Sequence, residues 1–323
     1  MSIAGLGRLL NYDTDMNFKR LTPQQVMLGI GIGFATITVI SGLTGHFLAF
    51  KNENEEHREV FGNIPGVLQL AFYVLLAFLI VNMSWQFSVR MKNWQRGTPD
   101  NRATTAKNAP RRLKDFRAGV YMRTLMREPG AGVMHSMMYF SFIVLLGVTT
   151  VLEIDHQVPE SIKFLHGGTY NGFSLVGDFA GLLFTISIVW AIVRRYGPRA
   201  MRPYRIRIKS KPEHMVILGT FLAIGVTGFG AEMFRIALEG TPDYEKWSFV
   251  GYPLATLVDG SGSLSGWHQF WWILHVLSFV AFLVILPITM LRHMITSPLN
   301  MYLSDRDRPK LSLIHISEPT RPY

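Results

Sequence analysis

Cysteine is absent from all 323 residues. The chain as given therefore cannot hold a thiolate-ligated iron–sulfur cluster, a zinc ribbon or a disulfide. Internal repeats and low-complexity stretches are missing as well, and with them the matching halves from which many transporters are built. Charge is nearly missing from six blocks, roughly 25–49, 66–89, 131–152, 172–193, 215–238 and 268–292. Each holds about 20 or more mainly apolar residues, the length that crosses a hydrocarbon core of about 30 Å. The first block starts too late, and is too long, for a cleaved signal peptide. These features predict an all-α polytopic membrane protein, a bundle of six transmembrane helices.

The charge that is present sits in the connecting segments. Net charge is +10, with eleven Lys/Arg between residues 90 and 130 and eight more in 194–211. By contrast, "KNENEEHREV" and "EIDHQVPESIK" are acid-rich, and 239–267 has one lysine. Positive residues stay on the cytoplasmic side of short loops. Both termini and the two basic loops are therefore expected inside, and the three other loops outside, with every crossing alternating. The basic loops read as topology signals next to lipid headgroups, not as a nucleic-acid surface.

Ten histidines remain to be sorted by depth. His57 and His156 lie in acidic loops, and His214 beside a basic one, where solvation explains them. His268 sits among Trp267, Trp271 and Trp272, a pattern of an interfacial aromatic belt. "WWILHVLSFVAFLVILPITMLRHM" carries His275 and His293 eighteen residues apart. In an unbroken helix that spacing is about five turns, one face, and about 27 Å of axis. Pro287 frees the carbonyl of Leu283 and is expected to kink the helix between them. Polar groups this deep are costly and point to function, and a neutral imidazole is a good axial ligand for haem iron. His135, in "GAGVMHSMMYFSF", lies at the inner start of the third span, level with His293. The pair would hold a haem in the inner leaflet, and the small residues Gly130, Ala131, Gly132 and Ser136 leave room beside it. For an outer haem on His275, the partner is His166, in "FLHGGTYNGF", with His46 the other candidate.

Three intramembrane charges complete the candidates. Asp178 lies in the fourth span; Glu232 and Arg235 form an i,i+3 pair in the fifth, able to neutralise one another. Arg235 is a candidate for haem-propionate support. Glu232 or Asp178 is a candidate catalytic carboxyl, exchanging protons at a quinone site, since quinone reduction consumes protons.

"VTGFGAEMFRIAL" and "WWILHVLSFVAFLVILPITMLRHMITSPLNMYL" resemble the membrane domain of heterodisulfide-reductase-related iron–sulfur proteins, a group that includes electron-transfer-flavoprotein:menaquinone oxidoreductases. A more distant resemblance is to the cytochrome b subunit of respiratory nitrate reductase. The likeness covers most of residues 20–310 and is strongest from 131 to 310. In the nitrate-reductase type of anchor two helices each supply two haem ligands. His275 and His293 match the pair on the last helix, and His135 the inner ligand of the other. Leu145 stands near the place of the fourth ligand, which leaves the haem count at one or two.

The resemblance implies a cytochrome b-like anchor in the bacterial cytoplasmic membrane. Such an anchor would carry electrons between a cytoplasmic iron–sulfur module, with electron-transfer flavoprotein as a donor, and menaquinone. "DRDRPK" resembles the junction into that family's cysteine-rich [4Fe–4S] domain. The final "LSLIHISEPTRPY" resembles a sequencing adapter translated in frame from Leu311 to Arg321. The expected organisation is a cytoplasmic segment 1–24, a haem-binding membrane domain 25–293, a linker 294–310 to an iron–sulfur domain not included, and an artefactual tail 311–323. The competing readings are a membrane transporter and a purely structural anchor whose histidines only make hydrogen bonds.

Overall fold

The structure, a computed structural model, describes residues 21–47, 58–94, 109–123, 125–198 and 210–303. The expected tail 311–323 and part of the linker, 304–310, lie outside these residues. Every regular element among the described residues is helical. In chain order these are α1 (Pro23–Phe47), α2 (Gly66–Trp94), α3 (Ala109–Val120), α4 (Pro129–Gln157), α5 (Gly167–Tyr196), α6 (Pro212–Leu238), α7 (Gly251–Val258), α8 (Leu264–Ile285) and α9 (His293–Leu303). Six of them, α1, α2, α4, α5, α6 and α8, are long and apolar enough to cross a membrane.

Local chemistry sets where these helices begin. Prolines 23, 129 and 212 open α1, α4 and α6, where a missing N–H breaks no intrahelical bond. Thr22 and Gln25 cap α1 reciprocally: the Thr22 N–H donates to Gln25 Oε1 at 2.8 Å and the Gln25 N–H to Thr22 Oγ1 at 3.3 Å. Glu128 caps α4 by accepting the Ala131 N–H at 2.8 Å.

The outer surface is apolar, unlike that of a water-soluble bundle, around an aliphatic and aromatic core that also holds hydroxyls. Ile37, Phe78, Trp85 and Leu146 are exposed, while Ser84, Ser141, Ser187 and Thr227 are buried. Exposed apolar side chains cost nothing in lipid, and the hydroxyls of Ser141, Ser187 and Thr227 are satisfied within their own helices. Ser187 Oγ donates to the Phe184 carbonyl at 2.7 Å, and Thr185 Oγ1 to that of Gly181 at 2.9 Å. Close approach replaces hydrophobic contrast as the source of cohesion. A Cβ at Gly31 would overlap Ser84, drawing α1 onto α2, and one at Gly230 would overlap Trp271, drawing α6 onto α8.

The last span differs from the expected kinked helix over 268–292. α8 ends at Ile285, and Pro287 is followed by a 3-10 turn over Met290–Arg292 before α9 starts at His293. Thr289 Oγ1 accepts the Leu291 N–H at 3.2 Å, and Glu213 at the start of α6 accepts the Met290 N–H. These acceptors stabilise a break where proline alone would produce a bend. His275 and His293 therefore stand on different helices, and the one-face argument from their spacing does not apply.

The starts of α4 and α6, the end of α5 and the turn before α9 meet at one end of the bundle, called here the basic end. At the opposite end Asn63 is tied to α8. Its Nδ2 donates to the Ser265 carbonyl at 3.0 Å, and Gln269 Nε2 donates to its carbonyl at 2.8 Å. A strap over 241–263, carrying α7, crosses the same end.

Candidate functional site: two cavities in one bundle

At the basic end a cavity of about 540 Å³ is lined by His135, His293, Met138, Phe142, Arg194, Leu218 and others. His135 and His293 face one another, ring centres 6.3 Å apart and planes inclined by 48°. Two imidazole nitrogens sharing one ion at about 2 Å each would place their ring centres about 6 Å apart. His293 Nδ1 lies 2.7 Å from the Met290 carbonyl. With the proton on Nδ1 donated to that carbonyl, the lone pair of Nε2 stays free to ligate a metal and the ring's orientation is fixed. His135 Nδ1 is buried and has no hydrogen-bond partner among the described residues. Buried polar atoms without partners are rare and call for an explanation.

Arginines stand at the rim of this cavity. Arg194 pairs with Glu128 at 2.7 Å, and Arg195 Nη1 lies 3.3 Å from His214 Nδ1. Below, α3 packs against α9: the Phe116 and Tyr302 rings are 6.4 Å apart, and Gly119 abuts Met301. Facing imidazoles, an apolar wall, cations at one edge and a volume within the usual range of about 300–1,000 Å³ for cofactor sites all fit a haem.

A second cavity of about 240 Å³ lies further along the bundle, lined by His275, Asp178, Glu232, Arg58, Leu145 and Phe173 among others. Among the described residues no other histidine lines it. His275 Nδ1 is 3.1 Å from Thr227 Oγ1 on α6. Asp178 Oδ2 accepts the N–H groups of Val250 and Gly251 at 2.7 and 3.1 Å, holding the strap at the start of α7. Glu232 interacts with Asp178 and packs against Gly251, where a Cβ would strike its carboxyl. Phe142 lines both cavities. It belongs to an aromatic cluster with Phe184, Phe221 and Phe282, at ring separations of 6.1, 6.0 and 5.4 Å from Phe142.

Other expected residues fall elsewhere. His166 is exposed at the N-cap of α5 and lines neither cavity. The side chain of His46 lies outside the described residues. Arg235 does not pair with Glu232. It turns toward the strap, meeting Glu245 at 2.6 Å and Glu239 at 3.0 Å. The turn at Gly240, at φ +78°, and Thr241, at φ +51°, brings Glu245 back onto the helix end. Tyr170 Oη donates to Glu245 at 2.6 Å. Burial alone would raise the Glu245 carboxyl, but the Arg235 guanidinium and the Tyr170 hydroxyl hold it below the ordinary carboxylate value.

Arg58, Thr227 and Glu245 went unmarked in the sequence. Arg58 sits in an acid-rich segment that reads as solvated. Thr227 carries only the weak signal of a hydroxyl in an apolar span. Glu245 is ten residues from Arg235, beyond any helical register.

An all-helical bundle with six helices able to cross a membrane defines the class, and sequence comparison adds a chemistry. Over 195 residues the chain is 30% identical to an EtfAB:quinone oxidoreductase of Syntrophomonas wolfei subsp. wolfei, covering 56% of this chain and 26% of that protein. Over 204 residues it is 24% identical to the probable iron-sulfur-binding oxidoreductase FadF of Bacillus subtilis, covering 62% and 28%. The matched region is thus about a quarter of each relative's length. No protein-family model matches the chain, and no solved structure does. The chain is related to oxidoreductases of the electron-transfer type.

Proposed function

We propose that this chain is a haem-bearing membrane anchor. In this reading it carries electrons between a cytoplasmic iron–sulfur module and menaquinone, with the basic end on the cytoplasmic side of a bacterial membrane. The observation that carries the reading is the facing of His135 and His293 across the 540 Å³ cavity. The two imidazoles would be axial ligands of one b-type haem, and Arg194 and Arg195 would meet its propionates. Bound haem supplies one-electron chemistry that side chains lack. The residues themselves position, insulate and neutralise: Phe142 and its aromatic neighbours keep water from the middle of the bundle, and α3 with α9 covers the basic end.

The second cavity is assigned to the menaquinone ring. At 240 Å³ it is smaller than usual cofactor sites, which favours a single ring over a second haem. Glu232 faces this cavity as the proton-exchanging carboxyl. Asp178, engaged by two backbone N–H groups, positions the strap and Glu232. Arg235, engaged by Glu245 and Glu239, supports the same end of α6. The relatives' printed names, one quinone oxidoreductase and one iron-sulfur-binding oxidoreductase, support this pairing of partners, and EtfAB in the first name supports electron-transfer flavoprotein as donor.

The test is a reduced-minus-oxidised optical spectrum of the purified chain, with extraction and quantitation of its haem. One b-type haem per chain is expected. A spectrum without haem bands, from protein expressed with ample haem, would favour a transporter or a plain structural anchor.

A further inference from the structure

We infer that Arg58 recognises an acceptor oxygen on the ligand of the second cavity, an inference that rests on the quinone reading above. Arg58 lies just before α2 and lines the cavity beside Glu232 and Asp178. Its Nε is buried and has no hydrogen-bond partner among the described residues. A buried donor left unmade is costly, so an acceptor belongs there.

The nearby carboxylates do not supply it. Asp178 accepts from Val250 and Gly251, and Glu245 is held by Arg235 and Tyr170. Glu232 feels the Arg58 charge, but no ion pair joins the two among the described residues. The cavity itself is where an acceptor can enter.

Its shape narrows the chemistry. Phe173, Phe229 and Leu145 give apolar walls suited to a flat ring, with the charged groups confined to part of the lining. Leu146, also in the lining, is 53% exposed on the flank of the bundle. The ligand therefore arrives from lipid, as a hydrophobic ring with an oxygen acceptor at its edge. A guanidinium donating to that oxygen makes a charge-assisted bond, among the stronger neutral-ligand contacts a protein offers.

Equilibrium dialysis of the full chain in detergent tests this with two probes. Menadione is a tail-less naphthoquinone, and methylnaphthalene is the same ring system without the oxygens. Arg58→Leu should weaken menadione binding about tenfold or more, the loss of one charged hydrogen bond, and leave methylnaphthalene binding unchanged. Arg58→Gln, which keeps an N–H donor without the charge, should fall between and covers the case in which the leucine variant misfolds. Equal weakening of both probes would make Arg58 a wall of the cavity, and no weakening of menadione would leave its N–H to water; either overturns the inference alone. Failure of the wild-type chain to bind menadione would instead sink the quinone reading itself.

Discussion

Inside a helix that crosses lipid, an ionisable side chain is costly unless something answers it, and the answers found here sort the candidate residues into roles. Asp178 and Arg235 are answered by the protein, through backbone N–H groups and through Glu239 and Glu245. Glu232 meets the Asp178 carboxyl and faces a cavity. Glu232→Gln should slow quinone-linked turnover about a hundredfold, the scale of one general acid–base contribution, with haem content unchanged. Loss of haem in that variant would move Glu232 to a supporting role. Glu245 makes a different prediction. Its carboxyl is buried beside Arg235 and held below the ordinary value despite that burial. Its contribution to stability is complete above the unfolded value of about 4.3 and is lost as pH falls through the lower folded value. The thermal midpoint of the detergent-solubilised chain should therefore drop as pH goes below about 4.3. Glu245→Gln should lower the midpoint at neutral pH, by less than the roughly 3–5 kcal/mol of a fully broken buried pair because Arg235 keeps Glu239, and flatten the acid limb.

Between elements, the break after α8 decides where His293 stands. Pro287, the Thr289 cap and the Glu213 contact turn the chain so that α9 begins at His293 and presents it to His135. Pro287→Leu removes the obstacle to helix continuation. It should lower haem occupancy in protein that still inserts, measured as haem per chain. Unchanged occupancy would mean the Thr289 and Glu213 contacts hold the turn without the proline. This break also marks where the sequence stops being readable. The spacing of His275 and His293 suggested one face of one helix, because a proline in an apolar run signals a bend and a full stop equally well. Which occurs depends on acceptors such as Glu213, 77 residues away in the chain. The match in depth of His135 with His293 was readable, since depth follows from where each apolar block starts.

For the whole molecule, the six spans were legible because each must satisfy its backbone within about 20 apolar residues, and no tertiary detail alters that count. Partner choice was less legible. Arg58 looked solvated among acids, and Arg235 looked paired with the carboxyl one turn away. Only the packed bundle places Arg58 on a cavity wall and carries Glu245 back to Arg235 through the turn at Gly240. Together these elements set two cavities in one bundle, sharing Phe142. The larger opens at the basic end, and the smaller reaches the exposed flank of the bundle at Leu146.

The central claim is that His135 and His293 grip one haem. The direct measurement is the low-spin haem absorbance and haem stoichiometry of His135→Ala, His293→Ala and His275→Ala, each purified as inserted protein. The first two variants should lose the same signal, and His275→Ala should keep it. Full haem content and an unchanged spectrum in both His135→Ala and His293→Ala would contradict the claim, and the two imidazoles would then be helix-packing groups.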